Sequence, residues 1–357
     1  MKRETSLGEI LEVKKGAYIT KKDAKEGPYP VILGGREPAY YIDRFNHTGK
    51  AIVISRSGAS AGYVSKWDEP IFVTDGFLIE PKDNVDYDYV YYALKNCEGI
   101  LQGRQSGAAI PHVTPRLINN IKVKIPSFDE QVKISSILSS YDDLIENNQR
   151  QIKLLEEAAH RLYKEWFVDL RFPGHEHVKI VDGVPEGWKK KRLSDIAPIV
   201  TGKKDANFGT EDGFFYFFTC AQDPIKAPSY SFDCNAVILA GNGDFNVKLY
   251  RGKFEAYQRT YVLCPFTSDH LFLLFNAVRE NMRQLFQGAS GSTIKFLTKR
   301  MLEDIYIYIP DEKLMRKYNV QAEAIQSKIE CLKDSVNIAI EARDRLLPKL
   351  MSGEIEV

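Results

Sequence analysis

The sequence predicts an α+β protein built as a tandem repeat, in which two β-rich α/β domains are each followed by one long helix. Three observations predict it. The chain repeats itself at an offset of about 184 to 186 residues, each copy carries short β-branched runs, and each copy closes on a segment with a heptad of apolar positions. The clearest block aligns SGAAIPHVTPRLINNIKVKIP (106–126) with SGSTIKFLTKRMLEDIYIYIP (290–310) without a gap, identical at eight of 21 positions, and most of the others are conservative. SLGEILEVKKG (6–16) faces RLSDIAPIVTG (192–202), and AIVISRSG (51–58) faces AVILAGNG (236–243).

The elements follow in chain order. Alternating or continuous β-branched runs predict strands over 50–55, 71–74, 77–80 and 121–125. Thr114-Pro115 has the form of an N-cap followed by proline at the first helical position, so a short helix opens there. Pro126 stops the last strand, and Ser127 through Glu130 spell the S-x-x-E of a capping box. A helix is expected from Asp129, because the chain then runs without Pro or Gly to Phe167. Tyr141, Ile145, Asn148, Ile152, Leu155, Ala159 and Leu162 alternate in 4-3 spacing, a heptad seam. Adding 184 gives Ile325, Ile329, Leu332, Val336, Ala339, Arg343 and Leu346, the same seam in register, so the two helices are expected to pack on each other. Asn148 and Arg343 interrupt the seam; each either fixes register or contacts another subunit. At about 1.5 Å per residue, a helix over 129–167 is about 58 Å long. Between the copies, RFPGHEHVKIVDGVPEGW (171–188) has neither period and reads as a linker.

Composition sets the outer limits. The 357 residues carry 49 Lys+Arg against 48 Asp+Glu, a net charge of +1, with 44% hydrophobic residues, so the chain can bury real cores. No apolar run approaches 18 residues, which excludes a membrane-spanning helix, and MKRETSLGEI is not followed by the apolar core of a secretory signal. A cytoplasmic protein is expected. Five cysteines without a CxxC pair speak against a disulfide framework or zinc ribbon and predict small buried side chains. Near-zero charge argues against nucleic acid only if it is evenly spread, and it is not. Residues 1–66 hold 12 Lys+Arg and seven Asp+Glu, a local +5, whereas 129–165 hold five and eight, a local −3.

The segment SSYDDLIENNQRQIKLLEEAAHRLYKEWFVDLRFPGHE, followed by VDGVPEGW, resembles the central region of specificity (S) subunits of type I restriction-modification systems, and the final RDRLLPKLMSGEIEV is similar to the close of the same proteins. With the duplication, the resemblance covers essentially the whole chain. It implies two target recognition domains, 1–128 and 187–310, each reading half of a split double-stranded DNA sequence. It further implies a central helix over 129–170, a linker over 171–186 and a distal helix with the C-terminal segment over 311–357, the helices packed as an antiparallel coiled coil. The helices would act as a ruler and dock two methyltransferase (M) subunits, with restriction (R) subunits completing the nuclease and no cofactor on this chain. The second domain opens with PEGWKKKRLSDI (185–196), but the first begins MKRETSLGEI without the Gly-Trp lead-in.

Three pairs of loops are candidates for DNA contact. Lys14, Lys15, Lys21, Lys22, Lys25 and Arg36 follow the first short element, and the matching loop after Gly202 carries Lys203, Lys204 and Asn207. SRSGASAG (55–62) offers Arg56 and Ser57, and AGNGDFN (240–246) offers Asn242; glycine admits a phosphate close to the backbone, and arginine pairs with phosphate or guanine. QGRQSGAAI (102–110) offers Arg104, Ser106 and Gly107, with His112 just beyond, and QGASGSTI (287–294) offers Ser290, Gly291 and Ser292, with Lys295 just beyond. The plainer alternatives are a solvated lysine run, a connecting hairpin and an ordinary loop. Arg56 against Gly241 and His112 against Phe296 imply unlike half-sites, hence an asymmetric bipartite target.

No catalytic residue and no metal site is expected. The chain has no NPPY or DPPY run and no Walker A motif, and Pro310-Asp311-Glu312-Lys313 lacks the spacing of a nuclease site and lies at a helix start. His175 and His177 have no completing ligands and read as linker histidines, while FFYFF (214–218) reads as a buried strand with base stacking as the alternative. The expectation is a non-catalytic DNA specificity subunit; the alternatives are a stand-alone DNA-binding protein without M partners, and an active nuclease or methyltransferase.

Overall fold

The computed structural model describes residues 3–20, 22, 24–33, 35, 37–103, 112–243, 245–288 and 295–357. The chain divides into two compact units, Met1–Gln149 with Asp334–Val357, and Arg150–Lys333.

In unit 1 the strands are β1 (Arg3–Ser6), β2 (Leu11–Lys15), β3 (Tyr29–Ile32), β4 (Tyr40–Ile42), β5 (Ala51–Ser55), β6 (Val64–Trp67), β7 (Phe72–Val73), β8 (Gly76–Pro81) and β9 (Lys122–Ile125). The helices are α1 (Leu7–Ile10), α2 (Tyr87–Asn96), α3 (Glu98–Leu101), α4 (Pro115–Asn120) and the start of α5 (Phe128–Tyr163). A four-stranded sheet runs β2-β8-β5-β6, a three-stranded sheet runs β4-β3-β7, and β1 pairs with β9. All five residues of β5 are buried, and the period of two splits them by face. Ile52 and Ile54 pack with Leu7, Val90, Leu94 and Ile118 from the helices, while Ala51 and Val53 pack with Ile32 and Val73 from the second sheet. α4 starts where its cap requires: Thr114 Oγ1 accepts the Leu117 N–H at 3.2 Å with Pro115 at the first position.

Unit 2 contains a hairpin of β10 (Ile180–Val181) and β11 (Val184–Pro185), then β12 (Lys189–Arg192), β13 (Ile199–Thr201), β14 (Phe215–Phe218), β15 (Ile225–Ala227), β16 (Phe232–Ala240), β17 (Val247–Ala256), β18 (Thr260–Leu263) and β19 (Tyr306–Ile309). Helices α6 (Leu271–Gly288) and α7 (Lys299–Glu303) precede β19, and α8 spans Glu312–Ser352. The sheet order is β13-β18-β16-β17-β14-β15, and β12 pairs with β19. The repeat is therefore visible as topology. β13-β18-β16-β17 reproduces β2-β8-β5-β6, β12-β19 reproduces β1-β9, and the parallel pairing of β14 with β17 reproduces that of β3 with β7.

Each long helix contributes one part to either unit. In unit 1, Arg343 Nη1 donates to Asp142 Oδ1 at 2.6 Å and Asn148 Nδ2 donates to Ser335 Oγ at 3.0 Å; as one residue number rises its partner's falls, so the helices are antiparallel. In unit 2 the same sense appears in Glu156 with Lys333 (3.6 Å) and the Phe167 ring with the Tyr318 ring (4.8 Å). Tyr141, Ile145, Asn148, Ile152, Leu155 and Leu162 on α5, and Ile325, Ile329, Leu332, Val336 and Leu346 on α8, are all buried or half-buried. Asn148 and Arg343 spend their polarity inside the chain, on Ser335 and Asp142. α5 ends in a π turn over Lys164–Val168, which turns the adjacent Trp166 and Phe167 both inward.

Two expectations need correction. The cysteines are not all buried apolar groups: Cys234 and Cys264 are disulfide-bonded, Cys331 is exposed, Cys220 is half-buried, and Cys97 alone among the free thiols is buried. FFYFF is buried only at its far end, because the adjacent Phe217 and Phe218 enter the core on both faces while Tyr216 is exposed and Phe214 lies outside the strand and is 86% exposed. The segment between the copies is ordered into a short 3-10 turn at His175–His177 and the β10–β11 hairpin, with Phe172 stacked 4.8 Å from Trp188.

Candidate nucleic-acid interface

The same three backbone anchors gather loops at one end of the sheet in each unit. β2 ends at Gly16, whose N–H donates to Gly76 O at 3.0 Å, and β13 ends at Gly202, whose N–H donates to Thr260 O at 3.1 Å. A Cβ at Gly16 would lie 2.6 Å from the carbonyl oxygens of Val73 and Thr74, and one at Gly202 only 1.9 Å from Ala256 O, so both turns exclude a side chain. The loop after β5 is tied by Arg56 N–H to Asp75 O (3.3 Å), and that after β16 by Gly241 N–H to Arg259 O (2.9 Å). The segment preceding α4 joins through Val113 N–H to Arg56 O (3.1 Å), and that preceding α7 through Leu297 N–H to Gly241 O (2.8 Å). Two of the three loop pairs that the sequence singles out thus converge twice on one scaffold, joined there by the segments leading into α4 and α7; 104–111 and 289–294 of the third pair lie outside the described residues.

The side chains on that scaffold differ. In unit 1, Arg56 Nη1 lies 3.7 Å from Asp75 Oδ1, and the Ser57 hydroxyl donates to the same carboxylate. His112 is exposed beside this site. In unit 2 the anchors surround a cleft of about 430 Å³ lined by Thr201, Asn242, Gln258, Arg259, Tyr261 and Phe296. Its walls are braced from behind: Tyr261 OH donates to Leu297 O at 3.0 Å, and Gln258 Nε2 donates to Asp205 Oδ1 at 2.7 Å. Burial raises the Tyr261 hydroxyl above its ordinary pKa, so it stays a neutral donor.

The remaining candidates fall into three groups. Lys14 and Lys15 lie in β2 rather than in a loop, and Lys14 is ion-paired with Glu80 of the neighbouring strand, which raises its pKa. Lys22, Lys25, Lys203 and Asn207 are exposed, Lys204 lies with its Nζ 4.3 Å from the centre of the Phe208 ring, and Lys295 lies 4.2 Å from that of Phe286. Lys21, Arg36, Arg104, Ser106, Gly107, Ser290, Gly291 and Ser292 lie outside the described residues. Sequence reasoning missed Asp75, Gln258 and Arg259. The available signal was that Gly76 and Thr260 occupy one position at the offset of 184, which sets Asp75 against Arg259. Among the described residues no group of His, Cys, Asp or Glu is arranged to hold a metal, and no helix is long and apolar enough to cross a membrane.

Comparison with known proteins adds the following. The type I restriction modification DNA specificity domain matches residues 2–157 and again 185–329. The chain is 28% identical over 378 residues to the type I restriction enzyme MjaIX specificity subunit of Methanocaldococcus jannaschii, covering 95% of this chain and 87% of that protein. It is 35% identical over 176 residues to the EcoDI specificity subunit of Escherichia coli, covering 48% of this chain and 39% of that one. Among solved structures, the type I restriction-modification S subunit from M. genitalium shares the fold with a TM-score of 0.66 at 19% identity, over 98% of this chain and 96% of that one.

Proposed function

The chain belongs to the type I restriction modification DNA specificity family, and from that membership we propose that it is the sequence-specificity subunit of a type I restriction-modification enzyme, its two repeats reading unlike halves of an asymmetric bipartite DNA target. The observation that carries the reading is the duplicated loop scaffold with different side chains on it. Backbone anchors place equivalent loops in each unit, and Arg56 with Asp75 in one stand where Gly241 and Arg259 stand in the other. A shared frame carrying different reading groups suits two half-sites that differ in sequence.

The long helices supply the remaining parts of the role. They set the nonspecific spacer between half-sites and dock two M subunits; Leu144, Leu154, Val320 and Ile338, exposed on their outer faces, are apolar surface that such partners would cover. R subunits then complete the nuclease. In this reading the chain binds DNA in the cytoplasm and performs no chemistry itself.

Methylation mapping in a methylation-free host that carries the chain with its M subunits tests the proposal. The expected result is a motif of two unlike halves separated by a fixed spacer; a palindromic motif, or none, overturns it. Removing four residues from α5, about one turn and about 6 Å, should change the spacer and leave both half-site sequences intact. Altered half-sites with an unchanged spacer would overturn the ruler.

A further inference from the structure

The charge that each repeat presents at its loop cluster sits on opposite sides of the same anchor. In unit 1 the cation is Arg56, on the loop after β5, facing Asp75. In unit 2 the equivalent loop has Gly241, where a Cβ would lie 2.3 Å from Arg259 O and 3.2 Å from the Tyr261 ring, so this position has no room for a side chain. The cation there is Arg259, at the position of Asp75.

Arg259 differs from the surrounding lysines in how it is held. Its carbonyl accepts the Gly241 N–H at 2.9 Å and the Cys220 Sγ–H at 3.5 Å, and the turn that carries it is closed by Thr260 N–H to Tyr257 O at 2.8 Å. Its neighbour Gln258 is fixed to Lys204 O through its N–H at 2.9 Å and to Asp205 through its side chain. Among the described residues, no ion pair or hydrogen bond engages the Arg259 guanidinium. A fixed backbone with an uncommitted planar fork, in a cleft of amides and aromatic rings, is the arrangement that reads a base edge, whereas Lys203 and Lys295 on the adjoining loops supply point charges of the kind that hold phosphate.

We propose that Arg259 is the specificity-determining residue of the second recognition domain, donating its two-pronged hydrogen bond to O6 and N7 of one guanine in the half-site that unit 2 reads. This rests on the reading of the chain as a DNA specificity subunit. The experiment uses the chain assembled with its M subunits in a methylation-free host, with the motif read by long-read methylation mapping for the unchanged chain, Arg259→Gln and Arg259→Lys. If the unchanged chain yields no bipartite motif, the functional reading fails before Arg259 is tested. Given a bipartite motif, both substitutions should relax one G·C position by about tenfold or more, in one half only. The other half and the spacer should be unchanged. An unaltered motif overturns the proposal. So does a full motif with Arg259→Lys, since a point charge then suffices where the proposal requires the two-pronged fork. Uniform loss of methylation at all sites, whether the purified complex is intact or fails to assemble, overturns it too, because Arg259 then serves binding at large or folding.

Discussion

Unit 1 and unit 2 hold their loops with the same backbone bonds but hold their helix pairs with different chemistry. In unit 1, polar groups are added to an apolar cluster that includes Ile134 and Leu138 of α5 and Leu350 and Met351 of α8: Asp142 accepts from both Arg343 and Tyr92, and Asn148 bonds to Ser335. In unit 2, rings are prominent instead, with Phe167 4.8 Å and Trp166 5.9 Å from Tyr318 of α8. The lesson is that a duplicated unit keeps what its backbone demands and lets side chains diverge wherever an equivalent contact can be built from other atoms.

The largest expected effects come from this helix chemistry. Phe167 is 2% exposed in a ring cluster, so Phe167→Ala should cost about 3–5 kcal/mol. Arg343→Ala in unit 1 should cost less, about 1–3 kcal/mol, since Asp142 keeps the Tyr92 hydroxyl. Thermal unfolding of both variants checks the order. An equal or reversed order would mean that the two helix pairs are held alike.

The next effect tests the shared frame itself. Gly202→Ala drives a Cβ to within 1.9 Å of a backbone carbonyl, and Gly16→Ala to 2.6 Å, so both should destabilise, Gly202→Ala by about 3 kcal/mol and Gly16→Ala by less. Differential scanning calorimetry of the two variants would rank them. A silent Gly202→Ala would show that the loop shifts freely and that the glycine common to both repeats is no anchor.

The frame was legible in the sequence because it is made of the features a sequence displays. The Thr114-Pro115 cap, the β-branched run of β5 and the 4-3 seam are local patterns fixed by backbone geometry and burial. The reading groups were only half legible. Lys14 looked like a loop lysine because its partner Glu80 lies on a strand 66 residues away. Arg259 escaped notice because it owes its role to facing Gly241, a contact that exists only once β16 and β18 are paired. The disulfide of Cys234 and Cys264 was hidden for the same reason, as pairing across a sheet leaves no regular spacing in sequence.

The smallest expected effect bears on whether the unit 1 cation is available to DNA at all. Arg56 and Asp75 are 33% and 30% exposed and 3.7 Å apart, a geometry in which solvent screens most of the attraction. A double-mutant cycle of Arg56→Ala and Asp75→Ala, followed by thermal unfolding, should therefore give a coupling of about 0–1 kcal/mol. At that strength Arg56 exchanges Asp75 for a phosphate or a base edge at little cost, and Ser57 still donates to the carboxylate it leaves. A coupling above about 2 kcal/mol would instead mark the pair as structural. The two repeats would then differ in kind at this anchor, with Arg259 of unit 2 uncommitted among the described residues and Arg56 of unit 1 held, and Asp75→Ala would tighten DNA binding by releasing Arg56.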